Sequence, residues 1–128
     1  MPKLCVALFF FLALSACSGS GAPIVEMTEA QRFEPGQLTV DAGDTISFKN
    51  TSSEAHTVTA YADEIPQKAD YFSSVALASE EAARDELSTA LVPAGDTYEV
   101  TLKEPGAYRY FCIPHEEAGM KGTIVVEG

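Results

Sequence analysis

Short runs in which apolar and polar residues alternate recur along the chain, separated by turn-forming residues. Thr45 to Asn50, TISFKN, sets Ile46 and Phe48 on one face, the period of two expected of a strand buried on one side. RFEPGQLTV precedes it, closed by the turn Asp41-Ala42-Gly43-Asp44. Farther on, Tyr98, Val100 and Leu102 alternate ahead of the turn KEPGA, and YRYF and GTIVV complete the series. Many short strands punctuated by Gly and Pro predict an all-β fold, an antiparallel Greek-key β-sandwich. The stretch from Pro66 to Val92 breaks the pattern. Its segment ASEEAARDELSTALV carries good helix formers, with Glu80 and Glu81 early and Ser79 placed as an N-cap, and predicts one short helix on a long connection. A solvated charged loop fits the same residues, and nothing in them points to catalysis.

The N-terminus follows a different rule. The apolar run Leu4 to Leu14 behind Lys3 is too short to cross a membrane as a stable helix and reads as a secretory signal. It ends in Leu14-Ser15-Ala16-Cys17, which resembles the lipobox at which bacterial lipoproteins are cleaved and acylated on the new N-terminal cysteine. Cys17 is then the lipid-bearing residue, and Cys5 is discarded with the signal. Ser18 to Pro23 is small and flexible, a tether. The expected organisation is a signal peptide over residues 1–16, a lipidated cysteine and tether over 17–23, and a single domain over 24–128. Such a protein is extracytoplasmic (periplasmic), monomeric and held to the membrane by lipid.

Composition narrows the partners. Nineteen Asp+Glu stand against eight Lys+Arg, a formal net charge of −11. Nucleic acid is excluded as a partner by that sign. An acidic surface favours soluble life, basic docking partners or a high-salt environment.

Cysteine and histidine usage then supplies chemistry. Of three cysteines only Cys112 lies in the folded domain, and the chain has two histidines, His56 and His115. An exported protein with one unpaired cysteine needs a use for it, because oxidising compartments favour paired thiols. Cys112, His115 and Met120 follow the spacing Cys-x2-His-x4-Met. Two imidazoles, one thiolate and a thioether match a type 1 copper site, in which a His2Cys plane takes a weak axial Met. Cu(I) favours soft sulfur and Cu(II) favours nitrogen, so a rigid intermediate site lets an electron move with little rearrangement. Cys112 falls at the end of the YRYF strand and His56 at the start of another. Pro114 stiffens the intervening loop, and Gly119 and Gly122 allow its tight turns. A zinc site calls for more Cys or His, and a cysteine hydrolase for an orienting motif that is missing here.

These residues resemble a plastocyanin-like cupredoxin over nearly the whole domain. FEPGQLTVDAGDTISFKN is similar to the N-terminal strands of that family, AHTV to the segment bearing its first histidine, and DEIP to the stretch after it. GDTYEVTLKEPGAYRYFCIPHEEAGMKGTIVV matches its C-terminal third. The resemblance implies one type 1 copper bound by His56, Cys112, His115 and Met120, with the edge of His115 emerging through an apolar patch as the electron port. With the lipobox, it points to membrane-tethered members such as the halocyanins. Three positions depart from the family: Phe111 stands where Tyr usually precedes the ligand cysteine, Thr57 where Asn usually follows the first histidine, and Glu116-Glu117-Ala118 where small or neutral residues are commoner. The two carboxylates are expected beside the port.

The function expected is a one-electron carrier with no catalytic residues and no substrate turned over. It moves electrons between extracytoplasmic redox proteins, a cytochrome or a membrane redox complex with a basic docking surface. A copper chaperone or storage protein is the alternative, and it needs an accessible, exchangeable site.

Overall fold

Alternation along the chain becomes eight strands: β1 (Ile24–Met27), β2 (Phe33–Glu34), β3 (Gln37–Asp41), β4 (Thr45–Asn50), β5 (Thr59–Ala60), β6 (Thr97–Thr101), β7 (Gly106–Phe111) and β8 (Lys121–Glu127). The computed structural model describes residues 21–128; the signal segment, Cys17 and the start of the tether lie outside the described residues. The strands form two four-stranded sheets, ordered β2-β1-β4-β6 and β3-β8-β7-β5. Val25, Met27, Ile46 and Phe48 of the first sheet and Val40, Tyr108, Tyr110, Ile124 and Val126 of the second are buried together in one core. Phe48 and Tyr110 meet edge to face across it, ring centroids 5.2 Å apart, an arrangement that adds to the area the two rings bury.

The sandwich is the one the alternation predicts, with two refinements. First, β1 pairs with β4 and β3 with β8 in parallel, while the other pairings are antiparallel. A period of two assigns a residue to a face but says nothing about the direction of the neighbouring strand. Second, the 66–92 segment carries two short helices, α1 (Glu80–Asp85) and α2 (Leu87–Ala90), broken at Glu86, whose φ of −107° and ψ of 40° are not helical. Ser79 is the N-cap, its side chain accepting from the Ala82 N–H.

The β7–β8 hairpin matters most for the site. Its register runs from Gly106 opposite Val126 to Phe111 opposite Lys121, so residues 112–120 form a loop closed at its base by paired strands. Gly122 has a different use from the turn expected of it. It lies within β8, opposite Tyr110, and the Tyr110 ring occupies the space that a Cβ on Gly122 would fill. Gly119 is the turn glycine, with φ of +87°, a conformation other residues reach only at a cost.

The Tyr110 hydroxyl is buried with no hydrogen-bond partner among the described residues. Gly122→Ala is expected to lower unfolding stability by about 1–3 kcal/mol through overpacking. Tyr110→Phe, which removes an unsatisfied polar atom, is expected to leave stability unchanged or raise it. Urea unfolding of the two variants measures both.

Candidate metal centre

His56, Cys112 and His115 converge at one end of the sandwich. His56 Nδ1 and His115 Nδ1 lie 3.2 Å apart, and Cys112 Sγ lies 3.7 Å from the first and 3.4 Å from the second. A point equidistant from these three atoms is about 2 Å from each, the length of transition-metal bonds to imidazole and thiolate. Among the described residues no carboxylate belongs to this cluster. Two imidazole nitrogens and a sulfur aimed at one another have little to gain from mutual contact and much from a shared cation. The donor set therefore fits a soft-to-borderline transition metal, and the His2Cys arrangement suits copper.

Two stretches of chain hold these residues. Cys112 follows β7 directly, and its N–H donates to the Met120 carbonyl at 3.0 Å, closing the loop. His115 ends a single 3-10 turn, Ile113–His115, with Pro114 inside it. Met120, fully buried, donates its N–H to the His115 carbonyl at 3.1 Å, so its backbone is tied to both loop donors. His56 lies on the connection from β4 to β5, which crosses between the sheets, and it exchanges backbone hydrogen bonds with Val92 at 3.2 and 2.7 Å. All four residues predicted as ligands thus lie on two segments that meet; Cys17 lies outside the described residues.

Thr57 joins those segments. Its N–H donates to Cys112 Sγ at 3.4 Å, and its Oγ1 accepts from the Ile113 N–H at 2.8 Å. Threonine in this place still braces the loop, as its hydroxyl allows.

Two further supports were not singled out by sequence reasoning. Ser52 Oγ lies 2.9 Å from His56 Nε2, accepts the Glu54 N–H at 3.2 Å and donates to Asn50 Oδ1 at 2.7 Å. Asn50 in turn donates to the carbonyls of Glu54 and Val92 at 2.7 and 3.0 Å. With Ser52 engaged as a donor to Asn50, His56 carries its proton on Nε2 and leaves Nδ1 free to coordinate. The signal was present in Asn50-Thr51-Ser52-Ser53, but such a cluster reads equally as an ordinary turn. The second support is Arg84, which binds Glu116.

Electrostatics follow burial. Burial holds the His56 imidazole below its ordinary value, and the facing His115 adds to the effect. Burial also pushes the Cys112 thiol up, against the opposite pull of backbone N–H groups from Thr57 and His115. His115 alone reaches the surface, 14% exposed, with its Nε2 3.6 Å from a Glu54 carboxylate oxygen. Its rim therefore carries a carboxylate from Glu54, in addition to those expected from the loop. Of the two loop carboxylates expected beside the port, Glu117 is exposed. Glu116 is turned into an ion pair with Arg84 at 2.7 Å, which holds its carboxyl below the usual range, and it also accepts from the Tyr61 hydroxyl at 2.9 Å.

Comparison with known proteins agrees with the geometry. The model of the copper-binding proteins of the plastocyanin/azurin family matches residues 24–127. Plastocyanin of Solanum tuberosum is 42% identical over 94 residues, covering 73% of this chain and 86% of that protein. Among solved structures, a mutant plastocyanin of fern superposes with a TM-score of 0.60 at 29% identity, over 81% of this chain and 99% of the other. A Cu(I) mutant of amicyanin superposes with a TM-score of 0.62 at 25% identity, over 88% of both chains.

Ser52→Ala is expected to weaken copper binding by roughly 10- to 100-fold, the usual effect of losing a group that orients a ligand histidine. Competition with a chelator of known affinity measures it, with Thr89→Ala, on α2, as a control expected to bind normally.

Proposed function

This chain belongs to the plastocyanin/azurin family of copper-binding proteins and is a one-electron carrier with a type 1 copper centre; we propose that His56, Cys112, His115 and Met120 hold that copper. The observation that carries the ligand assignment is the convergence of two imidazole nitrogens and one thiol sulfur within 4.8 Å, beside a buried methionine on the same loop.

Bound copper supplies a reversible one-electron couple. The residues supply the rest. Cys112 and His56, both 0% exposed, keep water and competing ligands away. The Thr57 N–H on Cys112 Sγ stabilises thiolate charge, and Ser52 fixes the tautomer of His56. His115, the one partly exposed donor, brings the site to the surface where a partner docks. We assign no catalytic residue. A chaperone or store needs a site that releases copper readily, whereas burial of His56 and Cys112 favours retention and hence electron transfer.

The surroundings are also our reading. Residues 1–16 direct export, Cys17 is lipidated and residues 17–23 form the leash of a monomeric domain, 24–128, working outside the cytoplasm. No helix among the described residues is long and apolar enough to cross a membrane, and a lipid on Cys17 provides attachment without one; diacyl or triacyl modification is needed, because one chain anchors only marginally. The net charge of −11 suits a redox partner with a basic docking face.

Copper(II) added to the apo-protein is expected to produce the intense visible band of a copper–thiolate bond, and Cys112→Ser is expected to abolish it. A band that survives in the Cys112→Ser protein removes Cys112 from the site. Cys17→Ser is expected to move the protein from the membrane fraction to the soluble one, or to leave it unprocessed. An unlipidated mature N-terminus in the native protein, seen by mass spectrometry, contradicts the tether.

A further inference from the structure

The 66–92 segment is bound to the ligand loop at one place. Phe111 shares a strand with Tyr110, and by the period of two its ring faces away from the core, yet both are fully buried. Tyr61 and Arg84 cover it. The Tyr61 ring stacks on Phe111 at 4.2 Å, and the Arg84 guanidinium carbon sits 4.4 Å from the Phe111 centroid. The same guanidinium forks onto Glu116 at 2.7 and 3.2 Å and onto Glu80 of its own helix at 3.0 Å. Glu80 also accepts the Ala62 N–H at 2.9 Å, and Tyr61 donates to Glu116. The result is a closed ring of polar contacts linking residues 61–62 just after β5, α1 and the ligand loop.

Phe111 immediately precedes Cys112, and Glu116 immediately follows His115. Between them the turn has little strength of its own, its backbone bonds from His115 to Cys112 and from Glu116 to Ile113 measuring 3.2 and 3.5 Å, at and beyond the long end of the usual range. Among the described residues His115 also lacks a support like the one Ser52 gives His56, since its outer nitrogen meets only Glu54 at 3.6 Å. The geometry points to Arg84 as a positioning residue of the copper centre, which grips both ends of the ligand turn and so fixes His115 without touching the metal. This rests on the ligand assignment proposed above. Arginine is suited to the task because one planar group both stacks on an aromatic ring and forks onto a carboxylate. In sequence, Arg84 sits on a segment that otherwise reads as a solvated charged helix.

The pair also balances charge beside the metal. Glu116 alone favours Cu(II) and Arg84 alone favours Cu(I), so removing one partner exposes the other. The test uses the copper-loaded protein and its Arg84→Gln, Glu116→Gln and doubly substituted forms, measuring copper loss to a chelator and the reduction potential. Each single variant is expected to lose copper roughly two- to fivefold faster, the scale of a partly exposed ion pair. Arg84→Gln is expected to lower the potential and Glu116→Gln to raise it. In the double variant the potential returns toward that of the wild type while copper loss stays fast, a combination that neither pure electrostatics nor a purely structural helix contact produces. If Arg84→Gln fails to fold, Arg84→Lys keeps the charge and loses the fork, so faster copper loss at an unshifted potential is expected. Variants that retain copper at the wild-type rate overturn the clamp while leaving the ligand assignment intact. A wild-type protein that forms no copper–thiolate band overturns the ligand assignment and the clamp with it.

Discussion

Two hydrogen bonds to one residue hold the donor set together: the Thr57 N–H on Cys112 Sγ at 3.4 Å and the Ile113 N–H on Thr57 Oγ1 at 2.8 Å. They matter because the donors come from separate parts of the chain. Cys112, His115 and Met120 lie on the loop closed by the β7–β8 hairpin, whereas His56 lies more than fifty residues earlier on a connection fastened to Val92. Thr57 follows His56 directly, so fastening Thr57 to the loop fastens His56 to it. Copper then meets donors already in place. A site shaped before the metal arrives changes little when the electron arrives or leaves, and that lowers the barrier to transfer.

Burial divides the labour among the donors. His56, Cys112 and Met120 are buried, and the sandwich core, with Phe33, Phe48 and Tyr110 packed edge to face, gives that end a firm base. His115 lies at the rim, where electrons can pass but where the protein has less packing to hold a ligand. Its support comes instead from charged and aromatic side chains outside the core: Arg84, Glu116, Tyr61 and Phe111. Partial solvent exposure weakens each of these interactions, and their joining into one ring compensates.

Much of the proposed site was legible in the sequence because Cys112, His115 and Met120 lie within nine residues, where spacing alone signals shared geometry. His56 was legible because it is the one other histidine in the chain. The sandwich was legible from alternation at Ile46 and Phe48 and at Tyr98, Val100 and Leu102. Strand partners were not, since alternation fixes a face and leaves the neighbour open; hence the parallel β1–β4 and β3–β8 pairings came only from the structure. The roles of Arg84 and Glu116 were hidden for a different reason. They are 32 residues apart, and each has an ordinary explanation on its own, a helix-surface arginine and a loop carboxylate. Gly122 misled because glycine signals both turns and places where another group approaches closely, and here Tyr110 is that group. Ser52 sits four residues before His56 among other turn formers, so its bond to the imidazole depends on a fold that local pattern does not specify.

Donors held by the Thr57 bonds keep one arrangement with and without copper. Crystal structures of the apo-protein and of the copper-loaded protein in both oxidation states, grown in one crystal form, test it most directly. His56 Nδ1, His115 Nδ1 and Cys112 Sγ are expected to keep separations close to 3.2, 3.4 and 3.7 Å in all three, with Thr57 still bonded to the loop. An apo-protein in which His56 or Cys112 has swung away, re-forming the triangle only around copper, contradicts it.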